Sequence, residues 1–309
     1  MSAASPSSAP TPGTVLITGA ATGIGLATAW ALAMDGWRVL GTALPGQNIS
    51  ALTDVPGAIV IEADLTDETS RDRLIHLVHG EPQLTALVSN AGFALAGPVE
   101  GIPADQLRAQ FELGTIAPVL LAQALLPQLR ATRGRMIFLG AGQGRVALPF
   151  GGPYGASKAA LASLTDALRM EIADTGVTVS LIEPGAVRTG ILDDSRRRAL
   201  AVLDRLPVEV ADRYRAALTA TFARSEEAFR TALPPEHIAE LIARALVARA
   251  PKPRYLVGRE AVGLAALATL PARWRTALIG RVSRLPASKQ SVSRARRQGY
   301  DQRVTRVED

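Results

Sequence analysis

The sequence contains no cysteine. Disulfides and thiolate metal sites are therefore excluded. Histidine is scarce, at three residues (His76, His79 and His237). His76 and His79 stand three apart on an expected helix, a spacing at which two imidazoles can share a metal, but no third ligand accompanies them and no metal site is assigned. No apolar run reaches the ~18 residues needed to cross a bilayer. The opening MSAASPSSAPTPG has neither the basic nor the apolar region of a signal peptide, and its Ser, Ala and Pro content predicts a disordered leader over residues 1–12. These absences together predict a cytoplasmic protein.

Acidic charge is thin at one end only. The chain carries 34 Lys+Arg and 28 Asp+Glu, a net +6, but residues 281–309 alone hold eight basic and three acidic side chains, a net +5. The first 280 residues are thus nearly neutral, at +1 (26 basic, 25 acidic). The basic character belongs to a tail. With Tyr300 its only aromatic residue, that tail lacks the interleaved aromatics of a nucleic-acid binder and reads as a solvated end, with no nucleic-acid partner expected.

Apolar residues make up 48% of the chain, ample for a core. Short continuous apolar runs at 13–18, 37–42, 58–62, 86–88, 135–139, 177–182 and 254–257 predict strands. Helical patterns lie between them at 24–34, 67–79, 104–130, 154–173 and 234–248. Buried strands alternating with helices predict an α/β fold with a parallel sheet covered on both faces. No domain boundary is visible before about residue 258. Beyond it, 261–285 reads as one or two apolar or amphipathic helices. These close over a pocket, pair with another subunit or rest on a membrane surface.

Thr18-Gly19-Ala20-Ala21-Thr22-Gly23-Ile24-Gly25 joins the first strand to the first helix. There glycines allow a tight turn and let backbone N–H groups approach a pyrophosphate at a helix N-terminus. The Gly-x-x-x-Gly-x-Gly spacing resembles that of the short-chain dehydrogenase/reductase family, and further landmarks follow in order. They are Asp64-Leu65 after the third strand, Asn90-Ala91-Gly92 after the fourth, the Tyr154-x-x-x-Lys158 pair, and Pro184-Gly185 with Val187 and Thr189. With three lysines and four tyrosines in the whole chain, such a pair at helical spacing is a specific signal.

The resemblance covers residues 13–258. It implies a Rossmann-type, doubly wound, parallel seven-stranded sheet with helices on both faces, here followed by a C-terminal helical extension over 259–309. It also implies an NAD or NADP cofactor held by the residues just named. Asp64 would hold the adenine amino group, and Thr189 would lie near the nicotinamide amide. Tyr154 would be the catalytic acid/base and Lys158 its partner and ribose ligand. Tyrosine and lysine four apart share a helix face, where an ammonium is expected to lower the phenol pKa. The end of the second strand, Thr42-Ala43-Leu44, carries no charge to choose between NAD and NADP, and Arg38 is too far back along it.

Two positions depart from the family pattern. Ala141, thirteen residues before Tyr154, replaces the serine that anchors the substrate oxygen. Gly114 replaces an asparagine of the proton relay, although its backbone carbonyl remains. Gln143 is the nearest side-chain donor, and its amide or a fixed water is expected beside Tyr154. Three readings stay open. One is a working oxidoreductase on a hydrophobic alcohol or ketone. The second is a non-redox enzyme of the same fold, such as a cyclase, isomerase or eliminase. The third is a dinucleotide-binding partner without turnover. The long segment 186–233 would be the lid, and its apolar content predicts a sizeable substrate of steroid, retinoid or polyketide type. Residues 92–97 and 145–153 should line the same pocket through Phe93, Leu95, Val146, Leu148 and Phe150, with Arg145 the nearest anion-holding side chain. Family members pair through the long helix after the fourth strand and the Tyr154 helix, so a homodimer or homotetramer is expected, and weak membrane association through the C-terminal segment is a further expectation.

Overall fold

Successive residues of the central strands feed two different cores. In β1 (Thr14–Ile17), Val15 and Ile17 point to one side and Leu16 to the other, as the two-residue period of a strand requires. In β5 (Arg135–Leu139), Met136 and Phe138 join one cluster and Ile137 and Leu139 the other. Both faces being apolar, both are covered. On one side lie α3 (Glu68–His79), α5 (Ala117–Thr132) and α6 (Gly152–Glu171), contributing Leu74, Leu121 and Leu161. On the other lie α1 (Gly23–Met34) and α9 (Pro235–Val247), contributing Leu32, Ile238 and Ile242.

The structure, a computed structural model, describes residues 12–81 and 83–283. Most of the expected leader and the basic tail lie outside the described residues. The remaining strands are β2 (Arg38–Ala43), β3 (Ile59–Glu62), β4 (Leu84–Ser89), β6 (Thr178–Pro184) and β7 (Arg254–Val257). Seven parallel strands run in the order β3-β2-β1-β4-β5-β6-β7. The order reverses between β1 and β4, so a crevice opens at their carboxyl ends, which is where such sheets bind ligands.

The expected helix at 104–130 is interrupted. It consists of α4 (Ala104–Phe111), a π turn (Glu112–Ile116) and α5. By length and composition, Ala104–Thr132 is apolar enough to cross a bilayer, which corrects the expectation of no such run. Its residues Leu121, Leu125 and Leu129 instead pack on the sheet, as in a core helix. A short helix, α2 (Ser50–Thr53), follows β2. The lid segment, for which the sequence predicted no helix, folds into α7 (Ile191–Leu203) and α8 (Val208–Arg230). Leu203, Leu218 and Phe222 of these helices share a third core with Ala96 and Phe150. Its base is pinned to the body, because Arg188 N donates to Leu233 O at 2.9 Å and Leu233 N to Ala186 O at 3.1 Å. The extension forms α10 (Arg259–Ala268) and α11 (Ala272–Val282).

Candidate active site

Two glycines set the crevice floor. A Cβ on Gly25 would stand 2.1 Å from Gly19 O and 2.6 Å from Asn90 Nδ2, and Gly19 itself has φ +64°. Only glycine permits that approach. Asn90 locks the loop by donating through Nδ2 to Thr18 O (2.9 Å) and Gly19 O (3.1 Å). Thr18 Oγ1 accepts from Asn90 N (2.9 Å) and Ala91 N (3.0 Å). α1 begins beside this loop at Gly23, with Thr22 as N-cap and no acidic residue in its first turn, a terminus suited to an anion. Thr189 meets the loop from the far side, its Cγ2 3.0 Å from a Cβ position on Gly23. Asp64 is half-buried, its Oδ1 accepting from Thr66 N (2.9 Å) and Oγ1 (2.7 Å). Leu65 beside it is buried.

Beyond the loop lies a cavity of about 560 Å³, within the usual range for a small-molecule site. Ile24, Ala141, Gln143, Phe150, Tyr154, Pro184, Gly185, Val187 and Thr189 all line it, so nine of the predicted site residues meet in one space. Leu95 and Leu148 line it as well. Phe150 is held at φ +63°, a left-handed conformation costly for a bulky side chain. Its carbonyl accepts from Gly97 N at 2.8 Å and its ring packs edge-on against Tyr214, centroids 6.2 Å apart.

Tyr154 and Lys158 sit in the first two turns of α6. Lys158 Nζ donates to Leu139 O at 2.8 Å and lies 3.8 Å from a Cβ position on Gly92. Burial pushes the Tyr154 phenol up to about 12 and the Lys158 ammonium down to about 8. The expected lowering of the phenol pKa is thus reversed, because desolvation penalises the charged form of each group. The Tyr154 phenol is therefore neutral at ordinary pH.

Three expectations about the pocket fail. Phe93 is not on the cavity wall; its ring lies under the Arg198 guanidinium, 4.4 Å from the centroid. Val146 is buried away from the cavity. Arg145 holds no free charge for a ligand, because it makes a bidentate pair with Glu183 at 2.9 and 2.6 Å.

The family model described as "short chain dehydrogenase" matches residues 13–199. The chain belongs to the short-chain dehydrogenase/reductase family. Among similar relatives, an NADPH-dependent 3-dehydrocapnine reductase of Ornithobacterium rhinotracheale is 31% identical over 78% of this chain and 87% of its own. The human 17-beta-hydroxysteroid dehydrogenase type 1 is 35% identical over 77% of this chain and 75% of its own. A solved short-chain dehydrogenase from Streptomyces avermitilis, 26% identical, superposes with a TM-score of 0.69 and covers 89% of this chain and 98% of that one. The chain is an oxidoreductase of this family, using NAD or NADP.

The residues fit the dinucleotide of a short-chain dehydrogenase: the glycine cradle, a helix terminus without acidic charge, half-buried Asp64 and a lysine beside the Asn90-Ala91-Gly92 turn. Arg38 pairs with Glu81 at 3.1 Å, away from the carboxyl end of β2, as expected. At that end Thr42 Oγ1 accepts from Gly19 N at 3.1 Å.

Gly114 falls in the π turn, and its lack of a side chain has a local cause. A Cβ there would stand 2.8 Å from Ser157 Oγ and 3.1 Å from Gln110 Nε2. Gln110 is fully buried, accepts from Leu95 N at 2.8 Å and donates to Ser157 Oγ at 3.2 Å. Ser157 Oγ in turn donates to Tyr154 O at 2.9 Å, and Thr115 Oγ1 donates to Ser157 O at 2.8 Å. This buried network, which sequence reasoning missed, ties the π turn and a cavity wall to the backbone of Tyr154. Also missed was α10, which lines the cavity through Glu260, Gly263, Leu264 and Leu267. Of the three alternatives for the extension, closing over the pocket is one it satisfies.

Proposed function

We propose that the cavity takes a hydrophobic ketone or alcohol without negative charge, and that Tyr154 and Gln143 together handle its oxygen. The single observation carrying this is the lining: apolar walls converge on Tyr154, and Glu260 is the only charged side chain among the lining residues described. Glu260 Oε2 lies 2.9 Å from a Cβ position on Gly185. A carboxylate in an apolar cavity, with Arg145 already paired, disfavours an anionic substrate and tolerates a neutral or amine-bearing one. The reductases and dehydrogenases among the relatives support redox chemistry over the non-redox and binding-only readings, and the human relative's steroid-alcohol name supports the hydrophobic class.

A bound nicotinamide dinucleotide supplies the hydride chemistry. Tyr154 gives its proton to the substrate oxygen during reduction and takes it back during oxidation. Lys158, anchored on Leu139 O, carries a positive charge one turn along the same helix. Gln143 occupies the wall on which Ala141 presents only a methyl group. Its amide has no hydrogen-bond partner among the described residues and stands free to donate to the substrate oxygen, the second donor the missing serine would have given. Gly19, Gly25, Asn90 and Asp64 hold and orient the dinucleotide.

The first test is a substrate panel. Neutral apolar ketones should be reduced with higher kcat/KM than matched keto-carboxylates, and Glu260→Gln should narrow the gap by raising the carboxylates alone. Equal rates on both classes in the wild type would remove the charge argument. A second expectation concerns pH. The Lys158 ammonium is present below about 8 and lost above it. The reduction rate should therefore fall about tenfold per unit as pH rises beyond that value. Tyr154 stays neutral throughout. Whatever rate Lys158→Arg retains should show no such fall, because the guanidinium keeps its charge; an unchanged limb in that variant would assign it to another group.

The protein is further proposed to act in the cytoplasm as a homodimer or homotetramer. Exposed Ile116, Leu164 and Met170, on the π turn and α6, support pairing through that side.

A further inference from the structure

α11 has no buried residue, yet its pattern is amphipathic. Trp274, Leu278 and Val282, four apart, form one stripe along it and are 61%, 47% and 61% exposed. Val262 of α10 and Leu270 in the following turn are exposed as well. The helix is nonetheless held in place: Arg275 Nη1 donates to Ala268 O at the end of α10 at 3.3 Å, and Arg224 Nη2 of α8 donates to Ser283 O at 3.2 Å. Its charge has one sign. Residues 261–283 contain Arg273, Arg275 and Arg281 and no Asp or Glu. Residues 284–309 add seven Lys+Arg against three acidic residues.

We propose that α11 docks this enzyme on an anionic lipid bilayer. An eleven-residue helix is about 16 Å long, too short to span and long enough to lie flat in the headgroup layer. Trp274, Leu278 and Val282 enter the acyl boundary, while Arg273 and Arg281 reach lipid phosphates. Charge selects this occupant. A second copy on the same face would set arginines against arginines with no acid between them, whereas an anionic surface offsets them all. The location serves the cavity, because α10, joined to α11 by one turn, forms part of its wall through Leu264 and Leu267. An apolar substrate dissolved in lipid would then reach the cavity without crossing bulk water.

The test uses the full chain with phosphatidylcholine vesicles made with and without phosphatidylglycerol. Trp30 is also exposed, so fluorescence is read in a Trp30→Phe background. Flotation should occur only with phosphatidylglycerol, and brominated lipid should quench Trp274. The double variant Trp274→Glu, Leu278→Glu should bind vesicles about tenfold more weakly or worse, with melting temperature and turnover of a water-soluble ketone unchanged. Vesicle binding that survives this variant but vanishes on truncation after Ser283, with no quenching of Trp274, would assign the interaction to the tail and overturn the proposal. So would a dimer that the double variant dissolves, without vesicle binding in the wild type.

Discussion

Tyr154→Phe is expected to lower kcat for ketone reduction by about 10²–10⁴-fold, the usual contribution of a positioned general acid, while the dissociation constant for NADH or NADPH stays within a few-fold of wild type. Two structural facts set this expectation. Tyr154 lines the cavity together with the Pro184–Thr189 segment, and burial keeps it protonated, pushed up to about 12. Removing the hydroxyl takes the proton away from the substrate oxygen and leaves the ring to pack as before. The dinucleotide contacts proposed for Gly19, Gly25, Asn90 and Asp64 do not involve that oxygen. Stopped-flow absorbance for turnover and dinucleotide fluorescence for binding separate the two. A variant that loses affinity and turnover together would place Tyr154 in binding and not in proton transfer.

The second large effect is expected at Gln143. Where family members carry a serine hydroxyl, this chain has Ala141, buried and on the cavity wall. If Gln143 supplies the second hydrogen bond to the substrate oxygen, Gln143→Ala should cost about 10²-fold in kcat/KM, the lower end for loss of one oxyanion donor. Ala141→Ser should then recover part of the loss in the Gln143→Ala background and change the wild type far less. That non-additivity is the signature of two groups serving one oxygen. A Gln143→Ala variant within twofold of wild type would move the role to water or to the substrate itself.

Most of the fold was legible because buried parallel strands announce themselves as short apolar runs, and the glycine loop and the Tyr154-Lys158 pair have spacings that only a strand–turn–helix and a helix face satisfy. What stayed hidden depended on contacts distant in sequence. Arg145 looked free until Glu183, 38 residues on, was found beside it. Ser157 gave no sign of its bond to Gln110, 47 residues away, nor therefore of why position 114 is glycine. Phe93 lay in the right loop, but its side-chain direction was set by Arg198 on the lid. For the tyrosine, sequence spacing revealed the lysine one turn along the helix but not the desolvation that raises the phenol pKa.

The most direct test of the account is a single-turnover measurement. Wild-type protein carrying NADH or NADPH is mixed with a panel of neutral hydrophobic ketones, and absorbance at 340 nm is followed. A loss of absorbance stoichiometric with enzyme is expected for at least one ketone, with Tyr154→Phe slower by about 10²–10⁴-fold. Tight dinucleotide binding with no change at 340 nm across the whole panel would contradict it.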